Sequence, residues 1–300
     1  MKFAAIDIGS NAVRLYIARP LEDGLGTTDF KSVEFTRLPL RLGDDVFQHQ
    51  EISKKKSDLM IKAMQAFSLL MEIYNVDAVR ACATSAMRDA KNGKKLAKEI
   101  KKATGIDIEI LSGKQESKLI QQSILHKTDP RKHYLHIDVG GGSTELAFIR
   151  NGRVKAFESF NIGTVRLREN KVKPEEWDRV HRWLDSCNWP ENHRDRHAIG
   201  TGGNIVKLSE LCGITTGDPC NHLLLENTIS ALKNLSHHER VYDLKLNPDR
   251  AEVIDYAGLI YTDLMKRCHI QDISAPNLGL KDGIIRSLWL EHLNRLSSKQ

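Results

Sequence analysis

Apolar residues in the first half of the chain alternate between the two-residue spacing of β-strands and the roughly 3.6-residue spacing of α-helices. The clearest helix is predicted at 53–74, where Met60, Met64, Phe67 and Met71 recur on one face and Ser53 supplies the cap. The same patterns predict further strands at 31–42, 78–84 and 106–111, and helices at 91–103 and 114–126. Strands that alternate with helices are typical of an α/β domain.

The second half of the chain repeats this plan and then becomes richer in helices. Strands are predicted at 134–139, 144–150, 154–161 and 270–275, with another that ends at Gly200. Helices are predicted at 174–187, 204–211, 223–235, 250–267 and 282–293. The whole chain is therefore expected to have an α/β fold.

One strand-turn-strand segment occurs twice. Residues 3–19 align with 134–150 without a gap, at a constant offset of 138 − 7 = 131 residues. Identical residues stand at Ile6/Ile137, Asp7/Asp138, Gly9/Gly140, Leu15/Leu146 and Arg19/Arg150. Each copy predicts a β-hairpin whose tip presents an acidic side chain beside backbone N–H groups. The repeat predicts two similar domains, and the polar, proline-containing segment 128–132 places their boundary between 1–127 and 128–300.

Composition narrows the class of protein. Of the 300 residues, 40% are hydrophobic and 28% are charged, and no apolar run approaches the ~20 residues of a membrane span. A strand begins directly after Met1 and Lys2, so we expect no export signal and no membrane partner. The five cysteines are odd in number and scattered, which argues against a disulfide framework or a zinc site and favours a reducing, cytoplasmic location.

The net charge of +6 permits a polyanionic partner, whether nucleic acid, polyphosphate or a phosphorylated nucleotide. A basic, solvated surface explains the same charge. The four tryptophans are expected to anchor core helices rather than to stack on bases, so nucleic acid is not the expected partner.

The tip of the second hairpin carries the most specific motif. Its small residues, Gly140, Gly141, Gly142, Ser143 and Thr144, let the backbone approach an anion closely and are expected to bind phosphate. Asp138 and Glu145 offer the oxygen ligands that Mg²⁺ prefers. The alternative is a glycine-rich turn with an exposed acid, but the recurrence of the turn in the first half favours phosphate.

Two other turns carry weaker signals. In the first hairpin, Ser10, Asn11 and Arg14 are candidate phosphate ligands and Asp7 is a candidate metal ligand, although Arg14 fits a surface salt bridge equally well. In the segment 200–204, a strand enters a helix through Gly200, Gly202 and Gly203, which predicts a nucleotide or anion site or a place of close helix packing.

Five motifs together resemble the exopolyphosphatase/guanosine pentaphosphate phosphohydrolase (Ppx/GppA) family. They are the first hairpin, ATSAMRDAKNG at 83–93, SGKQES at 112–117, DVGGGSTEL at 138–146 and GTGGN at 200–204, in the family order across nearly the whole chain. The resemblance implies two ribonuclease-H-like domains of the actin/sugar-kinase/Hsp70 superfamily that close on a phosphate chain, in a short, two-domain form. It also implies a homodimer.

The resemblance assigns catalytic roles to Glu116 and Arg88. Glu116 matches the family's catalytic glutamate, which activates water, and Arg88 matches a phosphate-contacting arginine. Position alone instead favours a helix cap for Glu116, and the alternative for Arg88 is a surface arginine that pairs with Asp89. The chain departs from the family pattern at Gln115, Ser117 and Lys281.

The sequence therefore predicts a Mg²⁺-dependent phosphohydrolase that releases terminal phosphate from inorganic polyphosphate or guanosine pentaphosphate in an interdomain cleft. Two alternatives remain open. An ATP-dependent kinase or ATPase would use the same fold and phosphate loops, and a non-catalytic sensor of guanosine alarmones would use the same residues for binding alone.

Overall fold

The protein is described by a computed structural model that covers residues 1–22, 28–125 and 128–298. Two compact units are present, Met1–Ser123 with Leu280–Gln300, and Ile124–Gly279. Residue 126, the predicted end of a helix, and residue 127, the predicted end of the first domain, lie outside the described residues.

The first unit contains a five-stranded sheet in the order β3-β2-β1-β4-β5. Its strands are β1 (Phe3–Ile8), β2 (Val13–Glu22), β3 (Thr28–Leu38), β4 (Ala78–Ala83) and β5 (Ile108–Ile110). The first three strands are antiparallel, whereas β4 pairs parallel with β1 and β5 pairs parallel with β4. Every residue of β1 is buried, as expected for a central strand covered on both faces.

Within the described residues up to 124, five helices lie between these strands or follow them. They are α1 (Leu42–His49), α2 (Lys54–Ile73), α3 (Ser85–Asp89), α4 (Gly93–Thr104) and α5 (Gly113–Ile124). The predicted cap of α2 is confirmed, since the Ser53 hydroxyl accepts a hydrogen bond from Lys56 N at 3.4 Å. The predicted strand 31–42 ends at Leu38, because Leu42, Val46 and Phe47 recur at helical spacing and bury one face of α1.

The second unit contains a six-stranded sheet in the order β10-β11-β9-β6-β7-β8. Its strands are β6 (His133–Val139), β7 (Thr144–Arg150), β8 (Arg153–Phe160), β9 (Arg196–Thr201), β10 (Pro219–Asn221) and β11 (Asp272–Ser274). The hairpin strands β6, β7 and β8 are antiparallel, and β9 pairs parallel with β6.

Seven described helices lie between these strands or follow them. They are α6 (Thr164–Arg168), α7 (Pro174–Ser186), α8 (Gly203–Leu211), α9 (His222–Asn234), α10 (His237–Tyr242), α11 (Pro248–Ala251) and α12 (Ile254–Arg267). The predicted helix 250–267 is interrupted at Val253, whose φ of −130° lies outside the helical range and separates α11 from α12. A large apolar core, which includes Tyr261, Phe160 and Ile205, packs around the second sheet.

The helix α13 (Leu280–Ser297) departs from the predicted domain division. The predicted domain 128–300 includes this helix, but in the structure it belongs to the first unit. Ile284, Leu288 and Trp289 are buried in one cluster with Phe3 and Ile120, and this shared apolar surface holds the helix there. The packing is close, since a Cβ at Gly283 would lie 2.1 Å from the Leu119 carbonyl oxygen.

The two sheets share one topology. Taken in chain order, β6, β7, β8, β9 and β11 repeat the arrangement of β1, β2, β3, β4 and β5, and β10 is an addition at the edge. The predicted hairpin repeat is visible in the strand register, where Asp7 faces Arg14 and Asp138 faces Glu145. The prediction of ribonuclease-H-like α/β domains is confirmed by this repeated sheet.

Candidate active-site residues

In the second unit, two carboxylates stand side by side at the end of the β6–β7 hairpin. Asp138 and Glu145 are partners in the strand register, and a carboxylate oxygen of one lies within 4.8 Å of a carboxylate oxygen of the other. Glu145 is buried and accepts a 2.8 Å hydrogen bond from the Ser159 hydroxyl. Two adjacent carboxylates repel each other when both are ionised, and a divalent cation relieves that repulsion, so the pair fits Mg²⁺.

The glycine-rich turn beside this pair is held by its own carbonyl groups. Gly140 N donates to Ser143 O at 2.9 Å and closes the turn. The carbonyls of Gly140 and Gly141 accept from Thr164 N at 3.0 Å and Val165 N at 2.9 Å. The first turn of α6 therefore fixes the backbone of the tip.

Two further contacts secure the same turn. Arg166 Nε donates to Gly142 O at 2.6 Å, and the Thr144 hydroxyl donates to Ile162 O at 2.7 Å. A Cβ at Gly163 would lie 2.5 Å from Gly141 O, so only glycine permits this approach. Neither α6 nor Arg166 was predicted, since a five-residue helix shows too little periodicity to be recognised in a sequence.

The segment 200–204 reaches the same place in the second unit. Thr201 is the partner of Asp138 in the parallel pairing of β6 with β9. Gly202 follows with φ 94° and ψ 159°, a conformation essentially restricted to glycine, and a Cβ there would lie 3.3 Å from Asp138 Oδ1. The loop therefore borders the carboxylate pair.

The three glycines of this loop serve different purposes. A Cβ at Gly200 would lie 2.8 Å from the Ile205 side chain, which supports the packing role anticipated for this residue. A Cβ at Gly203, the first residue of α8, would lie 2.9 Å from Arg250 Nη2. Arg250 thus places a guanidinium group beside a helix N-terminus, a position that no sequence motif indicated.

A buried polar network lies behind Asp138. His136 Nε2 and the Thr201 hydroxyl are 2.9 Å apart, and the Tyr261 hydroxyl donates to Thr201 O at 2.9 Å. Burial lowers the pKa of His136 to about 3, so its imidazole is neutral. Burial and the nearby Asp138 raise the pKa of Tyr261 well above its usual value, so its hydroxyl remains a donor.

In the first unit, the equivalent hairpin position holds an ion pair. Arg14 Nη1 donates to Asp7 Oδ2 at 2.8 Å, and Arg14 stands where the repeat places Glu145 in the second hairpin, since 14 + 131 = 145. The first tip therefore combines one negative and one positive charge, whereas the second combines two negative charges. For this reason Asp7 is a weaker candidate metal ligand than Asp138 or Glu145.

The tip of the first hairpin is connected to neighbouring elements. The hydroxyls of Ser10 and Ser85 lie 2.8 Å apart, and both are buried. The carbonyls of Ser10 and Asn11 accept hydrogen bonds from Gly43 N at 2.8 Å and Arg41 N at 2.9 Å. Ser85 begins α3, so the tip and the helix that carries Arg88 are joined.

Glu116 lies in the first turn of α5, but other residues make the described capping contacts. Gln115 Oε1 accepts from Ser112 N at 2.9 Å and from the Ser112 hydroxyl at 2.8 Å, while Gln115 N donates to Ser112 Oγ at 3.3 Å. This is a capping box formed by Ser112 and Gln115. Gln115, one of the positions where the chain departs from the family pattern, therefore serves in the cap.

Arg88 lies beside Glu116 in the first unit. Its Nη1 donates to Leu111 O at 3.0 Å and lies 3.7 Å from Glu116 Oε2. The Glu116 side chain is 10% exposed and that of Arg88 is 27% exposed. The two residues to which the family resemblance assigns catalytic roles are thus neighbours, and the hydrogen bond to the Leu111 carbonyl holds the arginine side chain in place.

The other two departures from the family pattern have local explanations. Ser117 is buried, and its hydroxyl accepts a 2.6 Å hydrogen bond from Gln121 Nε2. Lys281 Nζ lies 2.6 Å from Asp282 Oδ2 and 4.8 Å from the centre of the Tyr16 ring. Both residues are therefore accommodated within the first unit.

Comparison with known proteins supplies a family. A model of the Ppx/GppA phosphatase family matches residues 23–292. The chain is 24% identical over 310 residues to exopolyphosphatase 1 of Mycobacterium bovis, and the match covers 95% of this chain and 87% of that protein. It is 27% identical over 192 residues to the bifunctional 3-dehydroquinate synthase/phosphatase of Fusobacterium nucleatum. That match covers 58% of this chain but only 29% of that protein.

Among solved structures, the crystal structure of the Aquifex aeolicus member of the Ppx/GppA family superposes with a TM-score of 0.76. It is 24% identical, and the match covers 97% of this chain and 98% of that chain. This likeness confirms the fold. Within residues 1–22, 28–125 and 128–298, no helix combines the length and apolar character required to cross a bilayer.

Proposed function

The chain belongs to the Ppx/GppA phosphatase family, and from this premise we propose that it is a Mg²⁺-dependent phosphohydrolase that releases terminal phosphate from polyphosphorylated substrates. Family membership confirms the resemblance of the sequence motifs and supports hydrolase activity. The finer assignments below rest on the residues of this chain.

One observation carries the proposal: the Asp138–Glu145 pair stands directly beside the turn formed by Gly140, Gly141 and Gly142. Paired carboxylates fit a hard divalent cation, and a glycine turn fits phosphate oxygens. When bound, Mg²⁺ would neutralise charge on the phosphate oxygens. Asp138 and Glu145 would hold the ion, and Asp7 is a weaker candidate ligand because it is paired with Arg14.

Glu116 is the proposed general base. Its carboxylate would accept a proton from the attacking water as the new P–O bond forms and the bond to the remaining chain breaks. The position of Glu116 beside Arg88, whose Nη1 lies 3.7 Å from Glu116 Oε2, supports this role. Arg88 would stabilise the negative charge that develops on the transferred phosphoryl group.

The remaining small polar residues would bind phosphate groups. Those proposed are Ser10, Asn11, Arg14, Gly140, Gly141, Gly142, Ser143 and Thr144. The tip of the second hairpin is held by α6 and that of the first by contacts to α1 and α3, so both backbones are fixed before the substrate binds. Fixed donors avoid reorganisation during the reaction, which is how electrostatic catalysis gains most of its effect.

The substrate is inorganic polyphosphate, guanosine pentaphosphate or both. Polyphosphate is supported by the similarity to a protein named exopolyphosphatase 1. For a nucleotide, the loop with Gly200, Gly202 and Gly203 would contribute, since Arg250 places a positive charge beside the start of α8. A homodimer is proposed from the family resemblance alone, and light scattering of the purified protein tests it.

The decisive experiment measures phosphate release at fixed Mg²⁺ from short polyphosphate, long polyphosphate, guanosine pentaphosphate and ATP. We expect turnover of polyphosphate or guanosine pentaphosphate, loss of turnover with a chelator, and loss in Glu116→Gln without loss of substrate binding. Glu72→Gln, which changes an exposed glutamate in the same unit, is the matched control and should retain full activity.

Other outcomes separate the alternatives. ADP formation that depends on an acceptor molecule would indicate a kinase, and turnover confined to ATP would indicate an ATPase. Tight binding of a guanosine alarmone without turnover of any substrate would indicate a sensor. Full activity of Glu116→Gln would contradict the assignment of the base while leaving the hydrolase intact.

A further inference from the structure

Exposed lysines follow one side of the helix α4 in the first unit. Lys94, Lys98 and Lys102 are exposed and stand four residues apart. Residues at this spacing lie one above the other on a helix, so the three side chains form a line, which we call the lysine row. The row extends about 12 Å along the helix axis. The buried residues Leu96 and Ile100 occupy the opposite side.

The stability of α4 does not explain the lysine row. Like charges four residues apart destabilise a helix, and Lys94 stands in the first turn, where the helix dipole favours acidic residues and α4 has none. Across the described part of the chain, no carboxylate forms an ion pair with a lysine of the row, whereas the neighbouring Lys95 Nζ lies 4.0 Å from Glu99 Oε1. Only Lys102, in the last turn, suits the dipole. The row is therefore a concentration of positive charge that its own helix does not require.

Further lysines stand where α4 begins. Lys91 N donates to Gln50 O at 2.9 Å, and the Asn92 side chain both donates to Ile52 O at 2.7 Å and accepts from Ile52 N at 3.0 Å. These bonds join the segments that precede α2 and α4, so the two helices begin side by side. The exposed Lys91 and, in the first turn of α2, the exposed Lys55 therefore add positive charge at this end of the row.

The same end of α4 packs against α3, the helix that carries Arg88. A Cβ at Gly93, the first residue of α4, would lie 2.1 Å from Met87 O, so only glycine lets the two helices approach this closely. Arg88 Nη1 in turn lies 3.7 Å from Glu116 Oε2. Within the first unit, the lysine row therefore starts close to the two residues proposed for catalysis, and its later members lie farther along α4.

We propose that the lysine row and Lys91 bind the part of a long inorganic polyphosphate chain that extends beyond the site of hydrolysis. This surface would serve the proposed phosphohydrolase function, on which the inference rests, because it gives the same substrate a second contact. Each lysine is a compact positive charge on a flexible stem, and polyphosphate is a flexible chain of closely spaced negative charges. A second contact on one chain raises the affinity for long chains and leaves unchanged that for chains too short to reach it.

The composition of this surface favours polyphosphate over nucleic acid. Residues 53–57 and 91–102, which supply these lysines, contain no arginine and no aromatic residue. Proteins that bind single-stranded nucleic acid combine positive charge with aromatic side chains on which bases stack. A surface that offers lysine charges alone fits a polyanion without bases.

The test compares two triple variants of the full chain that have the same net charge. The first removes the lysine row and keeps good helix formers in α4, with Lys94→Gln, Lys98→Gln and Lys102→Gln. The second is the matched control and changes three exposed lysines of the second unit, with Lys155→Gln, Lys233→Gln and Lys245→Gln. Isothermal titration measures the binding of long-chain polyphosphate and of tripolyphosphate. Both variants are also made in the Glu116→Gln background, so that bound chains are not hydrolysed during the titration.

We expect the row variant to bind long-chain polyphosphate at least roughly 10-fold more weakly, and the slope of log K against log salt concentration to fall in magnitude by about 2 to 3. The control variant should keep the affinity of the parent chain for long polyphosphate, and both should bind tripolyphosphate equally well. With Glu116 intact, the row substitutions should raise KM for long chains and leave the rate on tripolyphosphate unaltered. Thermal melts that match the parent chain show that both variants are folded.

Unchanged affinity of the row variant for long polyphosphate would overturn the proposal. So would an equal loss in both variants, which would indicate net charge alone, or an equal loss for tripolyphosphate, which would place the effect at the site of hydrolysis. Tighter binding of a single-stranded oligothymidylate, lost in the row variant, would assign the surface to nucleic acid instead. A parent chain that binds long polyphosphate through the row but releases no phosphate would refute the phosphohydrolase and retain the surface.

Discussion

Gln115 accepts hydrogen bonds from both the backbone N–H and the hydroxyl of Ser112, and this pair caps the N-terminus of α5. We therefore expect Gln115 to cap the helix and the adjacent Glu116 to take part in the chemistry. Gln115→Ala should lower the free energy of unfolding by about 1 kcal/mol, since it removes one side of a capping box. Chemical denaturation measures this change.

Glu116→Gln should behave in the opposite way. Stability should change little, whereas kcat should fall by roughly 10²- to 10⁴-fold, the range for loss of a general base. Initial-rate kinetics on the preferred substrate measures the fall. If Glu116→Gln lost stability as Gln115→Ala does and kept its rate, Glu116 would be a capping residue after all.

Metal binding should depend on Glu145. Glu145→Gln removes one of two adjacent carboxylates, so the Mg²⁺ concentration for half-maximal activity should rise at least about 10-fold. Isothermal titration with Mg²⁺ checks binding without turnover. Glu191→Gln, an exposed change in the same unit, should leave both measurements unaltered. Equal Mg²⁺ affinity in Glu145→Gln and the parent chain would remove this residue from the metal site.

Gly202 should tolerate no side chain. Gly202→Ala forces alanine into a region of backbone conformation that costs of order 1–3 kcal/mol and brings a methyl group to the Asp138 carboxylate. We expect lower stability and lower activity together. Gly213→Ala is the matched control, since Gly213 also has positive φ, at 75°, but has no atom within 4 Å of the added Cβ. If Gly213→Ala reduced activity as strongly, the proximity to Asp138 would not be the cause.

Tyr261 should support the loop from behind. Tyr261→Phe removes the donor to Thr201 O and leaves a buried carbonyl without that bond, which should cost about 1–3 kcal/mol of stability. Thermal denaturation measures the loss. The exposed Tyr242 provides the comparison, and Tyr242→Phe should be close to neutral. Equal stability of both variants would show that the Thr201 contact contributes nothing.

Much of the fold could be predicted because long periodic segments dominate it. α2 matches the predicted helix 53–74, and β7 has the predicted bounds Thr144–Arg150. Short helices were not predicted, since α3 and α6 have five residues each and show no hydrophobic periodicity. The packing of α13 on the first unit also escaped, because it depends on tertiary contacts that local patterns do not contain.

Some residues of the candidate site could likewise be predicted from the sequence, and others could not. Asp138 and Glu145 could be found from the repeat, because matching positions in two hairpins share one strand register. Arg166 and Arg250 could not be found from the sequence. Each contacts a glycine loop from a short helix, and that helix lies many residues after the loop in the chain. The repeat also could not show that Arg14 neutralises Asp7, because the outcome depends on which side chain faces the acid across the strands.

The position of α13 has a consequence for how the protein is made. The sheet of the first unit leaves the ribosome early, but the helix that covers its apolar face is translated only after the whole second unit. During synthesis, that face is therefore exposed for longer than any part of the second core. Chaperone dependence and aggregation of nascent chains should thus originate in the first unit, although its strands are the first to be completed.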